Sequence, residues 1–187
     1  MRRWIVAVIG DSSTSQDDER YTLARKLGRA LIDNNYRIIS GGLGGIMQAV
    51  SEGARESEVY KEGDILGILP GFDPDEANSC VDIPIATGLN YGRNAIVANS
   101  DAVIAIGGGS GTLSEMAHAW ALRRLVIAYK VRGWSGELAD RKLDERPRYP
   151  DMPDDRIYGV TTEKETISIL ENIEKYNRRT KGIRKRK

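Results

Sequence analysis

Apolar residues fall along this chain in two rhythms: short unbroken runs, and longer stretches with one apolar residue every three or four positions. The runs lie at 4–9, 36–40, 65–69, 101–106 and 125–131 and are rich in Val, Ile and Leu. Strands covered on both faces of a parallel sheet need this lack of alternation. Shorter strands are predicted at 81–85 and 157–160, and helices at 16–33, from 46 onward, at 91–100, at 113–123 and at 163–176. In the first helix Tyr21, Leu23, Ala24, Leu27, Ala30 and Leu31 share a face, and Asn34-Asn35 supplies a left-handed exit. In the last, Ile167, Leu170, Ile173 and Tyr176 share one. The rhythm fails over 132–156, where Gly, Pro and charge alternate, so a long surface loop is expected there with one helical turn near 137–143. Strand and helix otherwise alternate, which predicts an α/β fold: a single-domain, Rossmann-like, open and mostly parallel sheet with helices on both faces. The domain is expected to span 1–177, leaving 178–187, with seven basic residues in ten, as a solvated, disordered tail.

Composition narrows this picture more than it extends it. Lys and Arg number 28 against 27 Asp and Glu, so overall charge argues for neither nucleic acid nor a membrane surface as partner. The apolar start at 4–9 is too short for a signal peptide or a membrane span. Cys80, the single cysteine, makes no internal disulfide and no cysteine-rich zinc site, and a cytoplasmic location is expected. The 187 residues can bury a sizeable core unaided.

Three strand ends run into turns of small residues, at 10–15, 41–45 and 107–111, all expected on one edge of the sheet. The last, Gly107-Gly108-Gly109-Ser110-Gly111-Thr112, carries the most chemistry. Glycines there let a ligand approach the backbone, and the following helix offers unpaired N–H groups and a positive dipole end, which suits a phosphate. Thr112 and Glu115 also fit a capping box, with the threonine bonding the amide three residues on and the glutamate bonding back. Both readings stand, but a cap needs no glycines upstream, whereas an anion loop does. Neither 42–47 nor 109–114 has the third glycine of a dinucleotide loop, and neither loop is followed by Lys-Ser or Lys-Thr, so NAD and a P-loop triphosphate are disfavoured. A monophosphate held by backbone amides remains, with no cofactor of the protein's own. His118, three residues after Glu115, lacks further ligands for a metal and reads as a half-buried helical histidine. Asp101 opens its strand, so it is expected at the sheet edge opposite the ligand in a structural role.

At these residues the chain resembles the lonely guy (LOG) family of phosphoribohydrolases, long misnamed lysine decarboxylases. The family's Pro-Gly-Gly-x-Gly-Thr-x-x-Glu pattern is met by Gly108, Gly109, Gly111, Thr112 and Glu115, with Gly107 in place of the proline. An earlier Gly-Gly-x-x-Gly-x-Met element is similar to Gly41, Gly42, Gly45 and Met47, and a Gly-Ser-Ser turn to Gly10, Ser12 and Ser13. The family's Arg-Lys pair appears as Arg93-Asn94. Gly107 draws the chain toward a branch that also resembles molybdenum-cofactor carrier proteins, which bind rather than hydrolyse. The resemblance implies either hydrolysis of the base–ribose bond of an AMP-like nucleoside 5′-monophosphate or non-catalytic binding of a nucleotide or pterin cofactor. It also implies a homodimer or higher homo-oligomer. For the hydrolase, Glu115 would stabilise a sugar cation; placed in the first helical turn, it is expected to be ionised. Arg93 would hold the substrate or polarise the leaving base, or is a surface arginine. Ser110 and Asn94 join the phosphate-binding set, and Asp11 is either a second carboxylate or an ordinary turn residue.

Overall fold

The computed structural model describes residues 2–176, so the basic tail predicted at 178–187 lies outside the described residues. Seven strands form one all-parallel sheet: β1 (Ile5–Gly10), β2 (Arg37–Ser40), β3 (Ile65–Leu69), β4 (Ile83–Ala86), β5 (Ala102–Ile106), β6 (Leu125–Tyr129) and β7 (Tyr158–Val160). Their order is β4-β3-β2-β1-β5-β6-β7. The helices are α1 (Glu19–Asp33), α2 (Ile46–Arg55), α3 (Asn94–Ala98), α4 (Ser110–Ala121), α5 (Trp134–Leu138), α6 (Glu163–Leu170) and α7 (Ile173–Tyr176).

Successive strand residues feed opposite faces, giving two cores. Val6, Val8, Ile104 and Ile106 join Leu27 and Leu31 of α1, Ile46 and Val50 of α2, Leu170, Ile173 and Tyr176 on one face. Ala7, Ile9, Val103 and Ala105 join Val97 of α3 with Met116, Ala119 and Trp120 of α4 on the other. The expected single-domain, doubly covered sheet is therefore what forms, and no helix among the described residues is long and apolar enough to cross a membrane.

Several element boundaries differ from the sequence reading, each for a local reason. The first helix begins at Glu19, not 16, because the Asp18 side chain accepts from Arg20 N at its amino end. Asp18→Ala should cost about 1 kcal/mol and lower Tm by roughly 2–4 °C, read by thermal unfolding. Asn35 takes the left-handed exit foreseen, at φ 62°. The helix expected over 91–100 is a 3-10 turn at Asn90–Arg93 followed by α3. The fourth strand begins at Ile83 because Asp82 bends back to accept from Gly63 N, Ile65 N and Tyr60 Oη. The last helix breaks into α6 and α7 at Asn172.

The 132–156 segment is not a plain surface loop. It carries α5 rather than a turn at 137–143, and it buries Arg148, Tyr149 and Asp155. Arg148 forks onto Asp155 at 2.7 and 2.6 Å, donates to Arg124 O and lies 3.7 Å over the Trp120 ring, which assigns that tryptophan to the core. At the opposite sheet edge, buried Asp101 accepts from Arg2 twice at 2.6 Å and from Ile5 N, the structural role expected of it.

Candidate phosphate cleft at the strand switch

The strand order reverses between β1 and β5, and in an open parallel sheet the crevice past the carboxyl ends at such a point is where ligands sit. A cleft of ≈390 Å³ occupies that place. Its lining comes from the ends of β1 and β2, the 90–94 turn and the first turns of α4: Gly10, Asp11, Ser12, Gly41, Met47, Arg93, Asn94, Gly109, Ser110, Gly111, Thr112 and Glu115, with Ile9, Leu43, Pro70, Asn90 and Tyr91.

The glycines at and beside this cleft divide by what a side chain would strike. At Gly108, φ is +89° and a Cβ would meet Thr112 Oγ1 at 2.2 Å; at Gly41 it would meet the Arg93 guanidinium at 2.5 Å. Those two are glycine because the protein itself fills the space. At Gly109 and Gly111 a Cβ would meet nothing within 4 Å, and neither has a positive φ. Nothing in the chain's own packing calls for glycine there, so the open space lies in front of the helix start. Gly109 caps α4 without any side-chain bond, so the first-turn N–H groups at 110–112 face that space with no partner supplied by the helix. This geometry supersedes the capping box. The helix begins at Ser110, too early for Thr112 to be its cap, and Glu115 turns away to Arg93.

Arg93 Nη1 donates to Glu115 Oε1 at 2.8 Å, with side-chain exposures of 12% and 8%. Because α4 starts at Ser110, Glu115 sits in its second turn rather than the first. Burial pushes its carboxyl up to about 7, outweighing the Arg93 charge and hydrogen bond that pull it down. The expectation of a plainly ionised carboxylate is corrected: near neutral pH both protonation states are populated. Asn94 Nδ2 donates to Ser114 Oγ at 2.8 Å, tying α3 to α4 across the cleft wall. Asp11 is partly exposed, 3.7 Å from Arg20 Nη1.

Of the residues singled out from sequence, Ser13, Gly42, Gly45 and Gly108 do not line the cleft. Ser13 is exposed, while Gly42, at φ +74°, and Gly45, at φ +61°, shape the turns behind the wall. His118 is exposed, not half-buried, with Nδ1 at 2.7 Å from Ser114 O. Among the described residues, no group of three His, Cys, Asp or Glu side chains could hold a metal ion. Sequence reasoning missed Ile9, Pro70, Asn90 and Tyr91, which sit outside any glycine motif, and Leu43, a variable position inside one. The signal that could have found Tyr91 is its place two residues before Arg93. It is 76% exposed, an unusual state for an aromatic ring on a cleft wall.

Comparison with known proteins places this geometry in a family. Over 131 residues, 70% of this chain and 82% of the relative, the sequence is 39% identical to an uncharacterized protein of Archaeoglobus fulgidus. The molybdenum cofactor binding protein of the phototrophic bacterium Rippkaea orientalis superposes with a TM-score of 0.76 at 29% identity, over 93% of this chain and 99% of that one. The molybdenum cofactor carrier protein of Chlamydomonas reinhardtii superposes at 0.72 with 23% identity, over 92% and 99% of the two chains, a likeness of fold. The family model that matches describes the SLOG cluster4 family and spans residues 3–156. The resemblance read from the glycine motifs thus holds at the level of this broader Rossmann-like group, and the chain belongs to the SLOG cluster4 family.

Proposed function

We propose that the protein binds a small molecule carrying a phosphate and a planar ring, of nucleotide or pterin-cofactor type, and holds it rather than hydrolysing it. The observation that carries this reading is the empty space before Gly109 and Gly111, at the start of a twelve-residue helix. The apolar walls, Ile9, Leu43, Met47, Pro70 and Tyr91, offer a surface for a ring. The cleft's ≈390 Å³ lies in the range of small-ligand sites, about 300–1,000 Å³. Since no described cluster offers ligands to a metal, a metal-bearing pterin would be gripped through its phosphate and ring. The solved relative from Rippkaea orientalis, described as binding molybdenum cofactor, supports the holding role.

The test is calorimetric titration with AMP, GMP and a pterin, each with and without its phosphate, alongside an assay for free base. Binding of the phosphorylated compounds alone, without base release, is expected; no binding by any phosphorylated compound overturns the reading. Tyr91→Ala should weaken the ring-bearing ligands about tenfold and leave inorganic phosphate unaffected, because an exposed ring contributes stacking rather than charge.

One observation favours a second reading, phosphoribohydrolase activity: the Arg93–Glu115 pair on the cleft wall. A carboxylate there could stabilise a ribosyl cation and an arginine could polarise the leaving base. Release of free base from AMP by the parent chain and not by Glu115→Gln would establish that reading in place of the first.

A further inference from the structure

We propose that Ser135 is a positioning residue for the phosphate cradle, acting through the backbone N–H of Gly107; the inference rests on the phosphate reading of the cleft. Ser135 is fully buried and is not part of the cleft wall. Its Oγ accepts from Gly107 N at 2.7 Å and donates to Tyr129 O at 2.7 Å, so one hydroxyl bridges the end of β6 to the first residue of the glycine loop. Two further bonds run between the same segments, Ser135 N to Gly107 O and Trp134 N to Gly108 O, both at 3.0 Å. Contact is direct: a Cβ on Gly133 would lie 2.7 Å from Gly107 C.

The consequence is a division of labour along the loop. Gly107, through its N–H and carbonyl, and Gly108, through its carbonyl, are engaged by 134–135 at φ +65° and +89°, which fixes the direction in which the chain enters α4. The amides that follow, at 110–112, are left for a ligand and held in place before it arrives. Preorganised donors bind an anion more tightly because no ordering cost falls on the binding step. The clamp also gives physical content to the departure from Pro-Gly-Gly. A proline at 107 would have no N–H to give Ser135, and its ring fixes φ near −65°, opposite in sign to the +65° found here. The cradle of this chain is therefore held from behind by a device that the proline pattern cannot contain.

The experiment compares wild type, Ser135→Ala and Ser135→Thr, each titrated with inorganic phosphate and with AMP well below its own Tm. Amide hydrogen exchange of the wild type is measured beside them. Ser135→Ala should lose about tenfold in affinity for both probes, as one removed buried hydrogen bond implies, and Ser135→Thr, which keeps the hydroxyl, should recover most of it. In the wild type the Gly107 N–H should exchange slowly with or without phosphate, whereas those at 110–112 should exchange fast and slow down when phosphate is added. Undiminished affinity in Ser135→Ala overturns the inference and leaves the phosphate reading intact; failure of the wild type to bind either probe overturns both. Should Ser135→Ala not fold, the exchange pattern decides: a Gly107 N–H as fast as those at 110–112 overturns the positioning role, and a slow one supports it.

Discussion

Gly111→Ala is expected to weaken phosphate-ligand binding on the order of 100-fold while raising Tm by roughly 1–4 °C. The two effects have separate origins. Gly111 lies inside the first turn of α4, where alanine is favoured over glycine by about 0.5–1 kcal/mol, and the added methyl would meet no atom of the protein within 4 Å. That same methyl would stand on the cleft wall, in the space from which a phosphate would reach the amides at 110–112. Displacing the anion from two charge-assisted hydrogen bonds would remove about 3 kcal/mol, which sets the 100-fold figure. Calorimetric titration with AMP and thermal unfolding of the free chain read the two quantities independently. A variant that is more stable and binds as well as the parent would place the ligand elsewhere in the molecule. Gly108→Ala makes the contrast: with φ at +89° and Thr112 2.2 Å from the new Cβ, it should lose stability along with binding.

The difference between those two glycines marks how far the sequence could be read. Both belong to one run, and a run shows only that the backbone needs room; which glycine makes room for the chain and which for a ligand depends on what stands opposite in space. The strands were legible, because buried parallel strands must be apolar throughout, but their order, and with it the switch between β1 and β5, was not, since apolar runs do not say which strands pair. Glu115 was misjudged because its position in α4 depends on where the helix starts, and Gly109 starts it without a side-chain cap. Ser135, 28 residues from Gly107, carried no signal, since a lone serine after Gly133-Trp134 resembles any turn. The same holds for Arg148 and Asp155: charge among prolines reads as a surface loop, and only the Trp120 ring beneath explains why the pair is buried.

The second large effect is expected at the Arg93–Glu115 pair, and it should depend on pH. Glu115 in the folded chain has its carboxyl raised from the ordinary 4.5 to about 7, so the folded state holds that proton more tightly than the unfolded one. Its contribution to stability is thus fully present below pH 4.5 and is lost as pH rises to 7, amounting to on the order of 3 kcal/mol for so enclosed a group. Asp18, held down to about 2 by Arg20, together with Asp140, Asp144 and Glu165, all lowered, act in the opposite sense and below that window. The parent Tm should therefore fall by roughly 6–12 °C between pH 4.5 and 7, and Glu115→Gln, which has no proton to lose, should remove that part of the slope. Arg93→Ala takes away the charge and the hydrogen bond that pull Glu115 down, and leaves a buried carboxylate without that partner. It should be destabilised by about 3–5 kcal/mol at pH 8 and much less at pH 5, where Glu115 is protonated. Thermal unfolding of the three chains from pH 4.5 to 8 measures all of this at once. If the Glu115→Gln slope matches that of the parent, the titrating group is not Glu115; if Arg93→Ala loses equally at both ends, the arginine acts by packing against Gly41 rather than by charge.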